Sequence, residues 1–373
     1  MRELIHELCN KVLGGGELTV EEGARLLEGV GRDDLMDLVA AADRIRRRFI
    51  GDEVHLCSIV NAKSGRCTED CGFCAQSVRF QTGVDEYPLL DEQAVESAAA
   101  QAEKNGAEAL GLVAAWRGLK QGPELERVTA LIRKVSENGT VHADASLGLI
   151  DDPEVARQLA DAGLHTYNHN LETASSHFGT VCETHTHEDR LRTLSLVREA
   201  GMNICSGGIL GMGESPRQRV ELAAELRELD PDMVPLNFLN PIEGTPAGEH
   251  FEALTPLEAL KCIAVFRFML PKHHIMVAGG REVVLGELQP LMYLAGASAT
   301  MVGDYLTTGG DTAGKDHAVI DALELEPRPQ GVHSASPRPG AVAAATAARD
   351  ADAEGAVPAG APGGAEDVDR GGV

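Results

Sequence analysis

The stretch VHADASLGLIDDPEVARQLADAGLHTYNHNL, residues 141–171, decides the fold. It opens on a short β-rich run, Val141–Leu147, passes through a helical pattern, Pro153–Ala162, and closes that helix at Gly163. It then returns to a second β-rich run, His165–Leu171. Strand, helix and strand in this order build a parallel sheet. The same rhythm extends both ways. Further runs are Val54–Val60, Ala109–Ala115, Asn203–Gly208, Met233–Leu239, His274–Ala278 and Ala299–Val302. Between them lie helical patterns, several closed by glycine (Gly106, Gly139, Gly201). Eight such units between residues 54 and 303 predict an α/β fold, a (β/α)8 TIM-type barrel. An open doubly wound sheet is the alternative.

Outside the rhythm the chain changes character. Residues 1–50 read as a helical extension: Thr19 and Glu22 form a capping-box pattern before Ala24, Leu26, Leu27 and Val30, and a second amphipathic stretch covers Asp33–Phe49. The barrel is expected over 51–326. Residues 327–373 hold 6 Pro, 13 Ala and 8 Gly and no aromatic residue, a composition that cannot offset its own ordering entropy, so a disordered tail is expected.

The chain has 373 residues and a formal net charge of −25, from 33 Lys+Arg against 58 Asp+Glu. That charge argues against nucleic acid as a partner. No apolar stretch is long enough to span a membrane, and the first residues lack the pattern of a secretory signal. A cytoplasmic location follows as the expectation. In that reducing setting the eight cysteines are expected to be metal ligands or buried thiols rather than disulfides.

Three of them stand as Cys67-Thr-Glu-Asp-Cys71-Gly-Phe-Cys74, directly after the first β-run. Three thiolates in one polar loop suit a [4Fe–4S] cluster with one iron left open. A structural zinc site and unrelated core cysteines are the competing readings. Other unusual residues also fall at the C-terminal ends of β-runs, where such barrels place their chemistry. They include Asn168 and Asn170, Cys205, Asn237 and Arg281.

The C-x3-C-x2-C loop, with Phe73 before its last cysteine, resembles the radical S-adenosylmethionine (SAM) superfamily. Further blocks are similar to the biotin synthase family: 61–67, Tyr167-Asn-His-Asn-Leu-Glu-Thr173, 205–214, 234–241 with Gly244-Thr-Pro246, and Ala278-Gly-Gly-Arg-Glu282. The resemblance spans roughly residues 20–320. It implies sulfur insertion into dethiobiotin to form biotin. It implies a [4Fe–4S] cluster on Cys67, Cys71 and Cys74 with SAM on the open iron, and a second iron–sulfur cluster that supplies sulfur. No side chain is expected to act as an acid or base. The SAM site would involve Phe73, Ala114, Glu172, Arg190, Gly207 and Gly208. Asn168, Asn170 and Asn237 would bind the ureido group of dethiobiotin, since an amide both donates and accepts. The two asparagines at 168 and 170 alternate along one β-run and so share a face. A flavodoxin- or ferredoxin-type electron donor and a homodimer are also implied.

The sequence departs from the family's usual second cluster, which has three barrel cysteines and an arginine. Only Cys205 and Arg281 are present. Gly111 stands at the second-strand position and Asp144 or Ala145 at the third. Cys57 and Cys182 are the cysteines able to compensate, so Cys57, Cys182 and Cys205, with Arg281, are expected to bind a different, larger auxiliary cluster. Cys9 and Cys262 read as structural, His169 as core packing, and His185 and His187 as polar surface residues. Two alternatives remain at this level: another radical SAM enzyme of the hydrogenase-maturase or methylornithine-synthase type, and a non-catalytic iron–sulfur redox sensor.

Overall fold

The computed structural model describes residues 1–303 and 312–331; the remainder of the predicted tail lies outside the described residues. Its strands are β1 (Glu53–Lys63), β2 (Ala109–Ala114), β3 (His142–Ser146), β4 (Leu164–Asn168), β5 (Asn203–Cys205), β6 (Gly208–Leu210), β7 (Met233–Phe238), β8 (His274–Val277), β9 (Ala299–Met301) and β10 (Glu326–Pro327). Parallel pairing runs from β1 round to β9, and β9 pairs back onto β1, which closes the sheet. With β5 and β6 counted as one interrupted strand, this is the predicted eight-stranded barrel, not the open sheet. Helices connect the strands and form the outer layer. Their starts are locally encoded: Asp91, Asp152, Thr186, Ser215 and Thr255 each accept a backbone N–H of the first turn. No helix among the described residues is long and apolar enough to cross a membrane.

The fifth β-run departs from expectation. It reads as one strand over 203–208, but the ladder with β7 breaks after Ser206, whose N–H donates to Met233 O, because Gly207 N–H turns to Asn170 Oδ1. Pro235 of β7 lies opposite and has no N–H to donate to the ladder. The chains also close in there: a Cβ on Gly207 would lie 1.9 Å from the Pro235 carbonyl oxygen. Only glycine allows this approach. The fourth run is shorter than predicted and ends at Asn168, so Asn170 belongs to the following loop.

The N-terminal helices, Arg2–Leu13, Val20–Gly29 and Leu35–Phe49, share the barrel's hydrophobic core. Their partner is the barrel helix Pro256–Met269, in which Leu260, Ile263, Val265, Phe266 and Phe268 are all buried. A helix apolar on every side needs cover on every side. The extension supplies that cover. Its contact is close: a Cβ on Gly23 would meet Val220 and Met269 within 3 Å. At the other end, the expected boundary at 326/327 does not mark the last contact. Pro327 pairs with Val54, and Gln330 donates to the carbonyls of Glu103 and Ala107.

Candidate functional site

Barrel interiors are usually filled by layers of branched apolar side chains. This one is not. Alternate residues of β3 point inward, and they are His142, Asp144 and Ser146. Neighbouring strands add Cys57, Thr166, Asn168, Asn203, Cys205 and Asn237. Together they line a cavity of about 700 Å³, a volume suited to a small-molecule ligand.

The cysteine loop covers the C-terminal mouth. Cys67 N–H donates to Gln76 O at 3.0 Å and Val78 N–H donates back to Cys67 O at 2.8 Å. Cys74 N–H donates to Cys71 O at 2.9 Å, which sets these two cysteines in one turn of the loop. Burial pushes the Cys74 thiol up to about 11 and also raises Cys67; Cys71 rises by its contact with Cys182 and by burial. Three thiolates here would therefore need a cationic partner. A bound metal deprotonates such thiols outright, so the donor set fits an iron cluster.

Glu172 and Arg190 meet beside this loop. Arg190 Nη1 lies 3.3 Å from Glu172 Oε1 and 2.8 Å from Asn170 O, and Nη2 is 4.0 Å from Cys71 Sγ. Glu172 holds a left-handed φ of 69°. It keeps this conformation because its backbone pairs with β6: Ile209 N–H donates to Glu172 O and Glu172 N–H to Gly207 O. Burial pushes the Glu172 carboxyl above its usual range in spite of Arg190. Gly207 and Gly208 run along the same edge, and Phe73 packs beside Val181, Met212 and Leu239. Ala114 is buried at the end of β2.

The three asparagines all line the cavity, yet they differ. Asn237 is spent on backbone, accepting from Gly279 N–H and donating to Gly208 O. Asn170 accepts from Gly207 N–H and donates to Glu172. Asn168 Oδ1 is buried with no hydrogen-bond partner among the described residues. A buried acceptor left unpaired costs about 1–3 kcal/mol, so this atom points to a donor on a ligand.

The cysteines expected to act with a second cluster do not come together. Cys57 and Cys205 both face the cavity, and burial raises both thiols. Cys182 instead sits at the rim, its sulfur 3.9 Å from Cys71 Sγ. The loop after β4 carries it over the mouth and away from the other two. Arg281 does not line the cavity either. Its guanidinium donates to Thr300 Oγ1 at 2.7 Å and Asp316 Oδ1 at 2.9 Å, and pairs with Glu282. These partners bind the cation in the wall. Of the two residues expected at the third-strand position, Asp144 reaches the interior. Burial disfavours its carboxylate, but His142 and His165 outweigh that and hold it at about 2.

His185 and His187 are buried, not surface residues as the sequence suggests. His185 Nδ1 contacts Glu69 and lies 3.2 Å from Cys182 Sγ; His187 faces Glu225 at 3.3 Å. His169 is buried outside the cavity lining. Glu69 and Asp70 escaped sequence reasoning. Inside the cysteine motif they look like solvated charges. In the structure Glu69 binds Arg117, Thr184 and His185, and Asp70 accepts from Glu183 N–H, Thr184 N–H and the Thr184 hydroxyl. They tie the cysteine loop to the Cys182 loop. No signal in the sequence connects two segments so far apart.

Comparison with known proteins agrees with this geometry. A radical SAM superfamily model matches residues 62–226, and a biotin and thiamin synthesis associated domain matches 235–326. The biotin synthase of Pelobacter propionicus is 48% identical over 325 residues, covering 87% of this chain and 98% of that protein. The biotin synthase of Geobacter sulfurreducens is 47% identical over 322 residues, 86% of this chain and 97% of its own. Among solved structures, methylornithine synthase (PylB) superposes with a TM-score of 0.74 at 21% identity, over 86% of this chain and 97% of that one. The [FeFe]-hydrogenase maturase HydG gives 0.72 at 15%, over 88% and 76%. At these identities the structures share the fold alone.

Proposed function

The chain belongs to the biotin synthase family, and from that premise we propose how its residues divide the work of inserting sulfur into dethiobiotin. The family's cofactors are a [4Fe–4S] cluster with SAM and an auxiliary iron–sulfur cluster. When bound, they supply the one-electron chemistry that opens saturated C–H bonds and the sulfur atom itself. The protein supplies binding, placement and exclusion of water.

Cys67, Cys71 and Cys74 hold the first cluster. Arg190 and Glu172, paired with each other without a ligand, exchange that pairing for the carboxylate and ribose hydroxyls of SAM; a guanidinium fork suits the first and a carboxylate the second. Gly207 and Gly208 let the backbone approach it, with Phe73 and Ala114 as apolar walls. Asn168 accepts from a ureido N–H of dethiobiotin. Asn170 and Asn237, already fixed by backbone hydrogen bonds, shape that subsite. Cys57 and Cys205 hold the auxiliary cluster deeper in the barrel. A flavodoxin- or ferredoxin-type donor, a homodimer and a cytoplasmic setting belong to the same proposal.

One observation carries the reading: Asn168 Oδ1, unpartnered among the described residues, faces the same cavity as Cys57 and Cys205. The test is an anaerobic assay for biotin from dethiobiotin, SAM and a reductant. Iron and acid-labile sulfide are counted in parallel for wild type, Cys57→Ala and Cys205→Ala. The expected result is biotin from wild type, and loss of only the auxiliary share of iron and sulfide in the variants. If both variants keep the full complement, the auxiliary assignment fails. SAM cleavage without biotin would return the chain to the other radical SAM activities.

A further inference from the structure

The floor of the barrel, opposite the cysteine loop, carries a second set of metal-type donors. His142 is the first residue of β3 and Asp144 stands two residues on, so both face inward. His165, near the start of β4, meets them from the next strand. His142 Nδ1 lies 2.9 Å from Asp144 Oδ1, and His165 Nδ1 lies 3.8 Å from the same oxygen. One donor atom from each residue falls within a 4.8 Å set, and the two rings stand 4.1 Å apart. An ion about 2.0–2.2 Å from each donor needs donors roughly 3–3.5 Å from one another, so the present spacing requires only small side-chain shifts.

Surrounding residues suit a ligated histidine. Asn203 Nδ2 is 3.2 Å from His165 Nε2. Turned about its last torsion, the amide offers its oxygen to Nε2–H, the usual outer partner of a ligating imidazole, and Nδ1 exchanges its 2.9 Å contact with Thr166 Oγ1 for the metal. The site also has access. Its cavity extends downward to the exposed Glu17 and Lys272, and upward to the level of Cys57 and Cys205.

We propose that His142, Asp144 and His165 form a mononuclear ferrous-iron site that serves the auxiliary cluster above it. Two imidazoles and one carboxylate, with the remaining positions open, are the donor set of non-haem Fe(II) sites, and in a protein loaded with iron the available ion is Fe(II). The role rests on the function proposed above: a cluster that is consumed as it gives up sulfur has to be rebuilt with iron, and this site lies beside it on the path to solvent. The site itself does not depend on that role.

The experiment uses the whole protein, reconstituted anaerobically with isotopically enriched iron and sulfide, then supplied with excess Fe²⁺ and desalted. Mössbauer spectra, total iron and acid-labile sulfide are recorded for wild type, His142→Ala and His165→Ala. His142→Gln and His165→Gln accompany them to keep side-chain volume, and circular dichroism verifies folding. The proposal expects one extra iron per chain in wild type, seen as a high-spin ferrous doublet with nitrogen and oxygen ligands. That doublet is lost in the variants while sulfide stays constant. Wild type without the doublet, or variants that keep it, overturns the site. So does a parallel fall of iron and sulfide, which makes these residues cluster ligands instead. Biotin formation, assayed on the same wild-type sample, reports separately on the underlying function.

Discussion

Replacing Arg190 with methionine isolates the buried pair at the barrel mouth. Glu172 and Arg190 side chains are 11% and 7% exposed, with 3.3 Å between the charged atoms. Removing one partner of such a pair costs about 3–5 kcal/mol, chiefly because the other charge stays buried. The lower end applies here, since Asn170 Nδ2 remains 3.4 Å from the carboxylate and the carboxyl is able to take up a proton. The pH dependence has a definite sign. Burial already raises the Glu172 carboxyl against the pull of Arg190, and loss of the cation raises it further. A carboxyl whose folded pKa exceeds its unfolded value binds more protons in the folded state, so stability falls as pH rises from about 4.5 through the folded pKa. Arg190→Met should therefore lose about 3 kcal/mol at pH 8 and roughly 1 kcal/mol at pH 5, where only the bond to Asn170 O and the stacking on Phe178 are missing. For a chain of this size that is roughly 3–6 °C in melting midpoint at the higher pH. Urea titrations at both pH values, in a cycle with Glu172→Gln, should give a coupling of about 2 kcal/mol at pH 8. A loss that does not change with pH, or a coupling near zero, refutes the reasoning.

Gly207→Ala would place a methyl 1.9 Å from the Pro235 carbonyl oxygen, and should cost at least about 1–3 kcal/mol and disturb Asn170; a wild-type melting curve would disprove the stated cause of the β5–β6 break. Cys182→Ala should keep both iron complements, because its sulfur is a fourth thiol at a three-thiol site, whereas Cys71→Ala should lose the first cluster; iron per chain decides this. Burial raises the Glu225 carboxyl, but His187 and Ser175 outweigh it and leave it below its usual range. Its contribution is thus present above about pH 4.5 and lost as pH falls through the lowered folded pKa, so Glu225→Gln should cost about 1 kcal/mol at pH 7, and the two stability curves should converge once the carboxyl is protonated in the folded state. A constant offset across that window would count against it.

Sequence by itself determined the barrel, the capping of its helices and the cysteine loop. All three are encoded within a few residues: strand and helix periods, Thr, Ser or Asp at helix starts, three thiols in one turn. Other features depended on contacts that no local pattern carries. Asn168, Asn170 and Asn237 have the same chemistry in sequence, but only the tertiary structure leaves Asn168 Oδ1 unpaired and occupies the other two. In sequence Cys182 is one more thiol after the fourth strand; the path of its loop places it on Cys71. Arg281 stood at a ligand's position in the chain, yet Asp316, thirty-five residues on, holds it in the wall. His142 and His165 lie on separate strands, so no local pattern joins them. His142 shares a face with Asp144 two residues on, and the register of β4 against β3 brings His165 onto the same carboxylate. Spacing fixes which groups a loop presents. Closure of the sheet fixes which groups meet across it, and the interior chemistry of this protein is of the second kind.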